Sequence, residues 1–335
     1  MQTLKTIIIA EAGVNHNGKV NLALKLIDKA AEAGADYIKF QHTEPELIAP
    51  KTSMAKYQIK NTKKNESQRS MVKKFHLDWE KTYPLLLKRC KRKKIKFLTS
   101  VFSKNAFLKI KKFNLDYIKI PSGEIVNTPL LKEISKVNKK TIVSTGMANI
   151  NEISRALNIL CKRFSKKRVF LLHCISDYPT DYSDINLNTL NFLKKKFRVN
   201  VGISDHSLGI EVPIASIPFG VKIIEKHFTL SKKMKGPDHS ISLDPNELKN
   251  MIKSIRNIEN ALGLEKKIIT KKEMHTKKIV RQSVHAKKNI NKGEKFTIEN
   301  IILMRPGDGA KPEMFQKILS KKSKKDYKIF DPILT

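Results

Sequence analysis

Short apolar runs that stop abruptly in polar clusters recur along the first two-thirds of this chain, and amphipathic stretches separate most of them. Thr6–Ala10 opens the series and runs into Glu11-Ala-Gly-Val-Asn-His-Asn-Gly18. Asn21–Gly34 follows, with Leu22, Leu24, Leu26, Ile27 and Ala30 at helical spacing. Asp36–Gln41 comes next, then a polar stretch, His42–Ser70, after which helical patterns resume. Further apolar runs cover Lys96–Val101, Asp116–Pro121, Lys140–Thr145 and Arg168–Cys174. The last two lead into Gly202-Ile-Ser-Asp-His-Ser207 and Ile223-Ile-Glu-Lys-His-Phe228. An apolar run that ends in charge reads as a buried parallel strand delivering its last residues into a cleft. Eight such runs, mostly separated by helical patterns, predict an α/β fold: a closed (β/α)8 barrel of the TIM type with its active site at the strand ends.

The pattern changes near residue 265. Glu265–Lys278 is a charged connector with no clear apolar stripe. Beyond it, Arg281–Ala286, Lys295–Ile298 and Ile301–Arg305 are short alternating pieces, followed by Pro306-Gly-Asp-Gly309. This predicts a barrel domain over residues 1–265, a linker over 266–280 and a small β-rich module over 281–335. A module this small gains stability by docking on a larger body.

Composition narrows the class of function. Of the 335 residues 40% are hydrophobic, which fits a globular protein with ample length for a core. No apolar run is long enough to span a membrane. The first residues lack the pattern of a secretory signal. The three cysteines, Cys90, Cys161 and Cys174, are odd in number and not at metal-ligand spacing, as expected for a reducing cytoplasm. Cys174, at the end of an apolar run, is expected to serve packing. A net charge of +36 would ordinarily suggest a nucleic acid or an acidic membrane as partner. Only ten of the 67 basic residues are Arg, however, the lysines are spread over the whole chain, and aromatics make up 7%. With Ile and Asn also plentiful, the charge reads as drift towards AT-rich codons, so neither nucleic acid nor membrane is the expected partner.

The candidate chemistry gathers at the run ends. His206 and His227 close two equivalent runs with room for one helix between them, so they can share a metal ion. Each stands beside a carboxylate, Asp205 and Glu225, and ligating imidazoles usually donate their second nitrogen to a carboxylate or a carbonyl. Substrate and water would complete so small a ligand set. Lys39 and Lys119 place cations where apolar strands discourage charge. The hydroxyls of Ser100, Ser122, Ser144 and Ser204, and the amides of Ser122-Gly123 and Thr145-Gly146, add donors. Together they suit a phosphate or carboxylate. Glu11, Glu124 and Asp238 are available as acid, base or sugar-hydroxyl partners. The residues alone describe a metal-assisted barrel enzyme acting on a phosphorylated or carboxylated small molecule.

These motifs together resemble the sialic acid synthase family, the phosphoenolpyruvate-condensing synthases of nonulosonic acids. The resemblance is carried by Glu11–Gly18, Lys39-Phe-Gln41, Tyr57-Gln-Ile-Lys-Asn-Thr62, Lys119-Ile-Pro-Ser-Gly-Glu124, Ser144-Thr-Gly-Met147, Tyr178-Pro-Thr180, Gly202–Ser207, Glu225-Lys-His-Phe-Thr229 and Gly236-Pro-Asp-His239. The tail, with Arg305-Pro-Gly-Asp-Gly309, resembles that family's antifreeze-like (SAF) domain. The resemblance implies a transferase that condenses phosphoenolpyruvate with an open-chain N-acylated mannosamine-type sugar and releases phosphate by C–O cleavage. It implies that His206 and His227 hold Mn2+, or Mg2+ or Co2+ in its place. Lys39, Lys119, Ser100, Ser122, Ser144 and Ser204 match phosphoenolpyruvate-binding positions. Glu11, Gln41, Asn61, Tyr178 and Asp238 match sugar-side positions, and Glu124 the position that orients the attacking water. Arg305 matches an arginine that reaches the partner's barrel in a domain-swapped homodimer, where a guanidinium suits an acyl-amide or hydroxyl contact. The expected product is N-acetylneuraminate, with N,N'-diacetyllegionaminate or pseudaminate, made from a 6-deoxy diacetamido sugar, as the alternative.

Overall fold

The computed structural model describes residues 5–334. Eight parallel strands close in sequence order into a barrel: β1 (Ile7–Gly13), β2 (Tyr37–His42), β3 (Lys96–Val101), β4 (Tyr117–Ile120), β5 (Lys140–Ser144), β6 (Val169–His173), β7 (Asn200–Asp205) and β8 (Ile223–His227), with β8 pairing back onto β1. Each predicted run becomes one strand. Helices fill the connections, among them α1 (Val20–Ala33), α2 (Lys56–Thr62), α3 (Gln68–Phe75) and α4 (Trp79–Lys93). α1 buries Ala23, Leu26, Ile27 and Ala30 and stops at Gly34, whose φ of 91° suits a residue without Cβ. The polar stretch after β2 is thus not a plain loop but carries α2 and the start of α3.

Side chains along a strand alternate between its two faces. Outward residues such as Ile8, Ile38, Val143 and Ile224 join the large core shared with the helices. Inward residues Ile9, Tyr37, Leu98, Tyr117, Ile142, Phe170, Leu172 and Ile223 form a separate cluster that fills the lower barrel. Tyr117 meets Tyr37 and Phe170 edge-on, each at 5.6 Å between ring centroids. Two positions further along the same strands, that inward face carries Glu11, Lys39, Ser100, Lys119, Ser144, Cys174 and Glu225. The polar layer therefore sits on an apolar plug, one step of the pleat above it.

Leu264–Thr335 forms a second compact unit. The segment read as a connector contains a helix, Lys271–Val280, with no buried residue. Its start is defined by Thr270, which caps the Glu273 amide, rather than by an apolar stripe. β9 (Ser283–Ala286) and β10 (Ile301–Met304) pair antiparallel, while Lys295 joins Lys322 through a single bridge. Val284, Ala286, Ile290, Phe296, Ile301 and Ile333 supply this unit's own core. Among the described residues no helix is long and apolar enough to cross a membrane.

Candidate active site

Glu225, on β8, is the hub of the charged layer. Its Oε1 accepts from Lys119 Nζ at 3.1 Å and from Ser204 Oγ at 3.0 Å, and lies 3.6 Å from Lys39 Nζ. Lys39 also pairs with Glu11 Oε2 at 2.9 Å and donates to Ser100 Oγ at 2.9 Å. Lys119 donates to Ser144 Oγ at 2.7 Å. All these side chains are buried. Burial pushes the Glu225 carboxyl up, but Lys119 and Lys39 outweigh it and hold it at about 2. For Glu11 burial wins over the pull of Lys39, aided by repulsion from Glu225, and the carboxyl lies above its usual range. Burial pulls Lys39 down, yet Glu11 and Glu225 more than compensate and leave it raised. In Lys119 burial prevails over Glu225 and the ammonium is lowered. Two lysines thus face one site from unlike environments.

His206 and His227 stand 5.5 Å apart between ring centroids. Nδ1 of His206 lies 2.6 Å from the Ile175 carbonyl, which can only accept, so Nε2 carries the lone pair. Nδ1 of His227 is buried without a partner. Burial keeps both rings neutral, His206 at about 4 and His227 well below its usual range. Neutral imidazoles with uncommitted nitrogens fit a divalent ion. Among the described residues no cluster of three or more His, Cys, Asp or Glu in metal-binding arrangement occurs, so the fit is to a two-histidine set completed by other molecules. His206 thus takes the carbonyl of the two expected kinds of partner, and neither neighbouring carboxylate serves. Asp205 follows Ser204 and precedes His206 along the pleat, so it points to the opposite face, where it pairs with Lys226. Glu225 shares the face of His227 but is taken by the lysines.

A cavity of about 490 Å³ adjoins this layer, lined by Gln41, Tyr178, His227, Asp238 and Glu124 and, from α2 and α3, by Tyr57, Gln58, Met71, Val72 and Phe75. Gln41 Nε2 donates to Glu11 Oε1 at 3.1 Å. Asp238 is pushed up to about 7 by burial and by the nearby charge of Glu11. Its loop is pinned by Asn17, which donates to the Lys235 carbonyl at 3.1 Å, and by Asn61, which donates to the Pro237 carbonyl at 2.7 Å. Asn61, expected on the sugar side, commits its amide nitrogen to that loop. Glu124 is half-buried; burial raises its carboxyl against the hydrogen bond from Asn127 at 2.7 Å.

Cys174 does more than pack. Its Sγ lies 3.2 Å from Ser122 Oγ and accepts from the Gly146 amide at 3.2 Å. That amide, expected as a free donor, is therefore engaged. Arg305 is exposed directly after β10 in the second unit. Sequence reasoning missed the hub role of Glu225, the place of Cys174 and the aromatic and apolar wall from α2 and α3. A two-residue count along β6 and β8, from Leu172 to Cys174 and from Ile223 to Glu225, would have found the first two.

The model of the NeuB family matches residues 26–267, and that of the SAF domain matches residues 281–333. The chain is 46% identical over 326 residues to N,N'-diacetyllegionaminic acid synthase of Campylobacter jejuni, covering 97% of each chain. It is 38% identical over 316 residues to the protein of the same name from Legionella pneumophila, covering 93% of this chain and 88% of that one. Among solved structures, N-acetylneuraminic acid (sialic acid) synthetase from Leptospira borgpetersenii in complex with citrate is similar with a TM-score of 0.71 at 34% identity, covering 81% of this chain and 90% of that chain.

Proposed function

This chain belongs to the NeuB family of nonulosonic acid synthases, and we propose that it condenses phosphoenolpyruvate with open-chain 2,4-diacetamido-2,4,6-trideoxymannose to give N,N'-diacetyllegionaminate and phosphate. N-acetylneuraminate, put first by the sequence motifs, becomes the second reading. The observation that carries this choice is the apolar part of the cavity lining, where Met71, Val72 and Phe75 share the space with Asp238 and Gln41. A 6-deoxy sugar presents a methyl where N-acetylmannosamine has a hydroxymethyl, and it adds a second acetyl methyl; both suit such a lining. The high identity to two synthases of that name supports the same reading.

Lys39 and Lys119 take the phosphate and carboxylate of phosphoenolpyruvate, with Ser100, Ser122, Ser144 and Ser204 as further donors. Glu11, paired with Lys39 and held above its usual range by burial, stands on the side of this cation towards the sugar. His206 and His227 would hold a divalent ion such as Mn2+, Mg2+ or Co2+, which when bound polarises a carbonyl oxygen. Gln41, Tyr178 and Asp238 orient the sugar. Asp238 keeps its proton up to about pH 7 and can hand it to the aldehyde oxygen as the new C–C bond closes. Glu124 orients the water that adds to the carbon bearing the phosphate, after which the C–O bond breaks and phosphate leaves with the bridging oxygen. A swapped homodimer, with Arg305 reaching the partner's barrel, belongs to the same proposal.

Phosphate release with Mn2+ decides between the sugars. We expect kcat/KM to favour the diacetamido sugar over N-acetylmannosamine by about tenfold or more. The reverse preference would make the product N-acetylneuraminate, and no release with either sugar would overturn both readings and bring the pseudaminate-type sugar forward.

A further inference from the structure

We infer that the Tyr57 hydroxyl binds the acceptor sugar, donating a hydrogen bond to an acyl-amide carbonyl and so helping to select N-acylated sugars. The inference rests on the reading of the cavity as the sugar site. α2 starts after Ala55, which has no side-chain oxygen to cap the helix. Gln58 supplies the reciprocal contact of a capping box instead, its Oε1 accepting from the Ala55 amide at 2.9 Å. That commitment fixes which end of the Gln58 amide points where. Its Nε2 faces Tyr57 Oη at 3.3 Å and donates to it. The phenol oxygen therefore receives one hydrogen bond and keeps its own proton for an acceptor. Among the described residues no acceptor takes that proton.

The ring is held as firmly as the hydroxyl. Tyr57 stacks on Tyr178 at 4.7 Å and 28°, and Tyr178 lies over His206 at 4.1 Å and 30°. The hydroxyl thus has a set position relative to the histidine pair. Tyr57, Gln58, Tyr178 and Asp238 line the same cavity. Burial and the nearby Asp238 hold the phenol well above its usual range, so it stays a donor at any working pH. The acyl-amide oxygen is the strongest neutral acceptor on such a sugar. A buried site built around a donor rejects a ligand that lacks the acceptor, because the donor is then left unpaired.

Tyr57→Phe removes the O–H and leaves the ring, its stack and its apolar area. We expect the sugar KM to rise about tenfold with the phosphoenolpyruvate KM unchanged. The preference of the wild-type protein for the acetamido sugar over mannose should shrink by the same factor. An unchanged sugar KM, or an equal rise in both KM values, would overturn the assignment. Calorimetric titration with the diacetamido sugar in the absence of phosphoenolpyruvate separates this from the reaction proposed above. If turnover fails but the sugar binds wild type about tenfold more tightly than Tyr57→Phe, the hydroxyl assignment stands without the condensation. Equal affinities, or no binding, would overturn it.

Discussion

Strands β7 and β8 carry two buried ion clusters on opposite faces, built from the same kinds of residue. On the outer face Lys226 Nζ lies 2.5 Å from Asp205 Oδ2 and 2.5 Å from the Ser207 carbonyl. The other Asp205 oxygen accepts from the Ser207 amide at 3.0 Å and its hydroxyl at 2.8 Å. That cluster is closed on itself. One residue to either side of Lys226, the inner face of β8 holds Glu225 and His227, and there Glu225 Oε2 and His227 Nδ1 are buried without partners. Burial of charge therefore does not distinguish the two clusters. Unfinished hydrogen bonding does, since an unpaired buried polar atom is costly unless something else completes it.

The sharpest way to break this comparison is to remove the unfinished side. His206→Ala and His227→Ala should each lower metal-dependent phosphate release by about a thousandfold or more while leaving the circular dichroism spectrum and melting cooperativity intact. Full activity in either variant would sink the two-histidine site. A second test sets one buried lysine against the other in urea unfolding. Lys226→Met leaves Asp205 buried without its cation and should cost about 3–5 kcal/mol of stability. Lys119→Met leaves Glu225 still facing Lys39, so its cost should stay below about 1.5 kcal/mol while the KM for phosphoenolpyruvate rises steeply. Equal losses of stability would show that the two clusters are the same kind of thing.

Asp238 sharpens the comparison by pH. Its carboxyl keeps a proton up to about 7 in the folded chain, against an ordinary aspartate value of 3.8. Between these values the folded state holds a proton that the unfolded state has lost, so stability falls as pH rises through this window and levels off above it. Asp238→Asn should remove that fall, with a gain that grows between pH 5 and pH 8 to at most about 4 kcal/mol. A gain that does not change with pH would mean that Asp238 is not buried as a titrating acid.

The apolar runs by themselves determined the barrel. Strands buried on both faces read as near-continuous hydrophobic segments, so each of the eight stood out, and so did the charges at their ends. Lys39, Lys119, His206 and His227 were visible for that reason. The change of pattern near residue 265 likewise marked a second unit. What the chain order could not show is which face each end residue takes and which distant residue meets it. Asp205 and His206 are neighbours in sequence, yet the pleat sends them to opposite sides of the barrel wall. Lys119 and Glu225 are 106 residues apart, yet barrel closure brings them to 3.1 Å. Asn61 finds the Pro237 carbonyl, and Tyr57 the ring of Tyr178, across connections whose lengths carry no record of the meeting. Periodicity is written locally because it follows from backbone geometry. The partners of buried polar groups are decided only when the strands close, because hydrogen bonds depend on position in space rather than along the chain.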